Sequence, residues 1–93
     1  MSSLEPLSEE LSKILNIIAD LAEYNTATNV FDHAIISRAN LTPTEVIKYI
    51  NELRSKGLII EVFPKPDGIS FTLYRITRAG LDKLENQDPL MFI

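Results

Sequence analysis

The feature that most limits what this chain can fold into is a change of period at Gly57. Upstream of it, Thr42-Pro43-Thr44-Glu45 is a strong helix start. Thr42 can cap, Pro43 suits the first helical position, and Glu45 completes a capping box. The helix read over residues 43–56 carries Val46, Tyr49, Ile50 and Leu53 on one stripe, and Gly57 suits the left-handed C-terminal cap. Directly after Gly57 the pattern becomes that of strands, over 58–63 and again over 69–76. Between them stands Pro64-Lys65-Pro66-Asp67-Gly68, a turn with two prolines and a flexible glycine. The chain is therefore α+β, with a helix feeding a β-hairpin.

Three more helices flank this unit. The first is read from Glu9 to Tyr24, with Ser8 as N-cap and Glu9 and Glu10 where the helix dipole favours negative charge. Leu11, Ile14, Leu15, Ile18, Leu21 and Ala22 form one stripe, and Ile17 widens it. Leu4 and Leu7 add apolar surface upstream. So wide a face serves the domain's own core or a partner subunit. Residues 25–29 are polar and read as a loop. The second helix is read from Val30 to Ala39, with Phe31, Ala34 and Ile35 facing inward and His33 on the opposite side. Asn40 tolerates the left-handed conformation of a tight interhelical turn. Thr77 can cap a last helix over 78–85, with Leu81 and Leu84 inward. After a polar break at 86–89 the tail Leu90-Met91-Phe92-Ile93 is apolar.

Composition removes most chemistry. Cysteine is absent, which excludes a disulfide scaffold, a thiolate zinc site and a cysteine nucleophile. One histidine excludes a multi-histidine metal site. Three glycines make no phosphate-cradling loop, and Glu9-Glu10 is a helix-start feature, not a catalytic dyad. No metal, cofactor or enzymatic activity is expected. With 45% apolar residues in 93, the expectation is one domain over 1–93 with a core over about 8–85. No leader or membrane-spanning stretch is visible, so the chain is read as cytoplasmic, with no membrane partner.

Three helices, a two-stranded hairpin and a short C-terminal helix form the winged helix-turn-helix order. Residues 41–59 resemble the recognition helix and first wing strand of MarR-like and PadR-like regulators, and 74–80 resemble the end of their second wing strand and the following helix. Small archaeal winged-helix proteins are similar too. The resemblance covers about 8–85 and implies double-stranded DNA as the partner, a homodimer, helix 43–56 in the major groove, and wing 58–76 on the adjacent backbone or minor groove. Helical spacing points to the same face independently. Opposite the inward stripe lie Thr44, Lys48, Asn51 and Ser55. Thr44 and Asn51 can bond bases or phosphates, and Lys48 can reach a guanine edge or a phosphate. Ile47, on the flank, meets a thymine methyl or is core edge. The Thr42 hydroxyl and the first backbone N–H groups suit a phosphate. The resemblance puts Lys65 at the wing tip and Arg75 on the return strand near DNA, though a turn lysine is often simply solvated. Arg38 is a further candidate contact. Like Arg54 and Lys56, it also stabilises a helix C-terminus without any ligand. The candidate dimer surfaces are Leu4, Leu7 and Ile17 around the first helix, and Leu90, Met91 and Phe92 in the tail.

A formal net charge of −4, taken as a sum, counts against DNA, but the charge is unevenly spread. Residues 1–37 carry Lys13 against six acidic side chains, a net of −5. Residues 38–78 carry seven basic against four acidic, a net of +3, and residues 79–93 a net of −2. The basic part coincides with the proposed reading helix and wing. At 93 residues no ligand-sensing domain is expected beside the winged helix. Two roles fit: a small transcriptional regulator, or an adaptor that binds a plasmid centromere, spreads on DNA and recruits a ParB-like partner, as PadR-like archaeal partition proteins do. The competing class is a winged helix that binds protein and not DNA.

Overall fold

The computed structural model describes residues 7–62 and 72–87. Expectations for Leu4, Lys65, Leu90, Met91 and Phe92, and for the hairpin turn, lie outside these residues. The elements in chain order are α1 (Glu9–Leu21), β1 (Val30–Phe31), α2 (Asp32–Ala39), α3 (Pro43–Ser55), β2 (Ile59–Glu61), β3 (Leu73–Ile76) and α4 (Arg78–Gln87).

Helix α1 starts as its sequence dictates, with the Ser8 hydroxyl accepting from the Leu11 amide at 3.2 Å. It ends three residues earlier than Tyr24. The Tyr24 amide donates to the Ala19 carbonyl at 2.8 Å, and the Glu23 amide to Asp20 at 3.0 Å. Glu23 and Tyr24 both take positive φ, 54° and 58°. These two bonds make a Schellman ending on a glutamate, where glycine is the usual residue. That is why the ending is invisible in the sequence.

Val30 and Phe31 are not helical. They form strand β1, whose partner is β3, with Val30 opposite Tyr74 and Phe31 opposite Leu73. The Asp32 amide extends the pairing to the Thr72 carbonyl at 3.0 Å. Phe31, expected to face inward, is 45% exposed instead. Branched and aromatic residues suit a strand as well as a helix. Here the partner strand decides, from more than forty residues away in sequence.

Helix α2 closes on Asn40 at φ 58°, as expected of the interhelical turn. Helix α3 has the full capping box, with Pro43 in its first turn. It ends in the same Schellman bonds as α1, Leu58 to Leu53 at 3.1 Å and Gly57 to Arg54 at 3.0 Å, with Gly57 at φ 75°. Among the described residues, strands β2 and β3 cover Ile59–Glu61 and Leu73–Ile76. They pair antiparallel, Ile59 opposite Ile76 and Glu61 opposite Tyr74, in a sheet of order β1-β3-β2.

The core lies between α1, the other helices and one face of the sheet. Ile14, Leu15, Ile18, Ile35, Ile50, Leu53, Ile59 and Ile76 are fully enclosed. Each such side chain contributes roughly 1.5–3 kcal/mol by leaving water. Ala19 joins them, which the α1 stripe did not include. Leu7, Ile17, Leu21, Tyr49, Leu81 and Leu84 are half-buried against this cluster. Gly80 of α4 lies under the Leu58 carbonyl, where a Cβ would collide with that oxygen. Thr77 fastens the same junction. Its amide donates to Leu58 and its hydroxyl to the Gly57 carbonyl at 2.7 Å, while that hydroxyl accepts from Gly80.

Candidate nucleic-acid interface

Helix α3 buries Val46, Ile50 and Leu53, with Tyr49 half-buried beside them, so the opposite side of its circumference is turned outward. Thr44, Lys48, Asn51 and Ser55 are all exposed along that side, and Ile47 sits on its flank at 36% exposure. The helix is held at both ends, by the capping box at Thr42 and by the latch through Gly57, Thr77 and Gly80. It is therefore presented as a rigid rod rather than as a loop.

The polar groups of this surface are not equivalent. Lys48 makes no ion pair among the described residues. The Ser55 hydroxyl donates back to the Glu52 carbonyl at 2.7 Å. Thr42 is engaged by its own cap. Its hydroxyl accepts from the Glu45 amide at 3.2 Å and donates to the Glu45 carboxylate at 3.0 Å. Its amide bonds the same carboxylate at 3.3 Å. The Glu45 charge thus stands at the helix start, where the sequence suggested a phosphate.

Three arginines have protein partners that residue spacing did not reveal. Arg38 at the end of α2 meets Asp20 of α1 at 2.7 Å, both about half exposed. Arg75 of β3 donates through Nε to Asn29 Oδ1 at 2.7 Å, which ties the sheet to the segment before β1. Arg54 donates through Nη1 to Glu61 of β2 at 3.0 Å and to Asn51 Oδ1 at 3.4 Å. No residue pattern singles out Glu61, because its partner lies across the Gly57 turn.

Beneath this pair, Tyr74 is 4% exposed. Burial pushes its hydroxyl above the usual tyrosine range, the Glu61 and Asp32 carboxylates add to the rise, and Arg54 opposes it. His33 is largely exposed, its Nε2 3.7 Å from Asp32 Oδ1. Among the described residues no group of acidic and histidine side chains is placed to hold a metal ion. Nor is any helix among them long and apolar enough to cross a membrane. The two described members of the candidate dimer surface, Leu7 and Ile17, rest half-buried against this chain's own core.

No protein-family model matches the sequence, and no curated protein sequence matches it. Solved structures do share its fold. BpsR of Bordetella bronchiseptica, whose DNA binding is regulated by 6-hydroxynicotinic acid, superposes with a TM-score of 0.75 at 14% identity, over 99% of this chain and 66% of its own. ZitR, a zinc-responsive MarR family member from Lactococcus lactis, gives 0.69 at 18% identity, over 88% of this chain and 51% of its own. A MarR variant from E. coli, solved in complex with operator DNA, gives 0.69 at 16% identity, over 97% and 59%. This chain therefore spans between about half and two thirds of the length of these proteins. The fold is the MarR-type winged helix.

Proposed function

We propose that this winged helix binds double-stranded DNA as a small, homodimeric transcription regulator, with α3 in the major groove and the wing on the adjacent backbone or minor groove. The observation that carries the reading is the outward face of α3. Four polar side chains, Thr44, Lys48, Asn51 and Ser55, stand exposed on a helix whose opposite side is locked into the core. Helices of this kind enter the major groove in winged folds. A similarly folded MarR variant has been solved with operator DNA, which supports the assignment. Self-association through Leu4, Leu7 and Ile17 and through Leu90, Met91 and Phe92 belongs to the same proposal. Sedimentation of a chain truncated after Pro89 tests the tail, and an unchanged mass removes it from the dimer.

Selection from a random duplex pool, followed by titration at several salt concentrations, tests the DNA assignment. Lys48→Ala is expected to weaken binding and to reduce the salt slope by about one contact. Unchanged affinity at matched salt would undo the placement of α3. A compact protected site supports a regulator. Protection that grows outward with concentration supports the centromere-binding role with a ParB-like partner, suggested by the PadR-like character of the sequence.

One observation favours the protein-binding alternative. Arg38 is matched by Asp20, which lies outside the basic segment, so less positive charge is left for phosphates than the segment count of +3 suggests. Absent or salt-insensitive DNA binding would favour that reading.

A further inference from the structure

We propose that Glu61 is a positioning residue that sets which base edge α3 accepts, acting through Arg54 on the side-chain amide of Asn51. This rests on the DNA-reading assignment above and adds a base preference to it. One guanidinium nitrogen makes the link. Arg54 Nη1 is 3.0 Å from Glu61 Oε1 and 3.4 Å from Asn51 Oδ1. That nitrogen has two hydrogens and gives one to each partner. Residues 51 and 54 meet because they are one helical turn apart, and 61 reaches them because the chain reverses at Gly57. The anchor is the better shielded end, since the Glu61 side chain is 15% exposed and that of Arg54 43%.

The chemistry of arginine then orients Asn51. A guanidinium carries only donors, so the end of the amide turned toward it is the carbonyl oxygen. The NH2 group is the other end, on an exposed residue of the outward face. An asparagine with both ends available reads adenine, its oxygen accepting from N6 and its nitrogen donating to N7. Here the oxygen is engaged, and the cation beside it disfavours a second donor. Asn51 is left offering N–H groups. The major-groove edges that accept them without donating in return are guanine, through N7 and O6, and thymine, through O4. The brace therefore favours guanine or thymine over adenine at the position Asn51 reads.

The test uses the full chain and the duplex selected from the random pool. The position read by Asn51 is the one where Asn51→Ala flattens the preference. Four duplexes differing only there are titrated at one salt concentration. The wild-type protein is expected to bind the guanine or thymine duplex about tenfold more tightly than the adenine one, the size of one good base contact. Glu61→Gln keeps the side-chain shape and removes the charge that holds Arg54, and it is expected to move the ratio toward adenine. Arg54→Ala tests the same link independently of how Glu61→Gln folds, and the double variant should shift the ratio no further. Loss of the Glu61 charge also raises affinity for every duplex alike, so the ratio is the readout. A ratio unchanged in both single variants overturns the proposal and leaves DNA reading intact, and so does a wild-type preference for adenine. A wild-type protein with no base preference at any position overturns the DNA-reading assignment, and this proposal with it.

Discussion

Helices α1 and α3 each run for 13 residues, begin on a hydroxyl cap with acidic residues in the first turn, and end in the same pair of backbone hydrogen bonds. Their surroundings differ. Helix α1 turns Leu11, Ile14, Leu15, Ile18 and Ala19 into the core and packs against α2, α3, α4 and β3. Helix α3 buries Val46, Ile50 and Leu53, a narrower stripe with Tyr49 half-buried at its edge, and keeps the opposite side in solvent. The chemistry of the ends fixes where a helix lies. The width of the apolar stripe decides whether it becomes scaffold or a presented surface.

The sharpest way to break this comparison is at the far end of α3. Gly80→Ala places a methyl group on the Leu58 carbonyl, and the α3 ending has no room to yield because Thr77 holds both Gly57 and Leu58. A loss of about 3 kcal/mol is expected in urea unfolding, as for overpacking of a closed site. Next come the N-caps. Thr42→Ala removes a reciprocal box, while Ser8→Ala removes a single bond. Thr42→Ala should cost about 1–2 kcal/mol and Ser8→Ala about half of that, measured as differences in unfolding midpoint. The two C-caps should then respond in opposite directions. Gly57→Ala meets no atom within 4 Å, so its cost of about 1 kcal/mol is conformational alone. Glu23→Gly relieves a left-handed glutamate and is expected to stabilise by about 1 kcal/mol or slightly less. The smallest effect concerns Tyr74 in the sheet that both helices pack against. Its raised hydroxyl favours the neutral form in the folded chain. The associated stability is whole below the ordinary tyrosine value of about 10 and falls as pH rises above it. Tyr74→Phe should show a shallower loss in an alkaline unfolding series.

Much of this was legible in the residues, and the reason is locality. The bounds of α3, its cap, its glycine ending and the left-handed Asn40 all depend on neighbours within four positions. The exposed face of α3 follows from the helical period in the same way. The failures share the opposite cause. Strand β1 is two residues long, and its partner is some forty positions away, so nothing near Val30 and Phe31 announces it. The α1 ending uses glutamate where the signal would be glycine. At the candidate site, the partners of Arg38, Arg54 and Arg75 are Asp20, Glu61 and Asn29, none within reach along a helix. Charge counting by segment locates the basic region but cannot show that Arg38 is paired with an aspartate of the acidic segment.

The order β1-β3-β2 places the last strand in sequence at the centre of the sheet. During synthesis, β1 and β2 therefore have no strand to pair with until residues 73–76 leave the ribosome. Both outer strands depend on β3 for their pairing, Val30 against Tyr74 and Ile59 against Ile76. A nascent chain holding α1, α2 and α3 alone still lacks the junction that fastens the end of α3. The same closure of distant pairs makes this the slow part of folding, since the loop must be ordered before any pairing rewards it. Premature termination anywhere before β3 thus yields a helical fragment with an uncovered core, a substrate for proteolysis and not a weakened version of the folded protein.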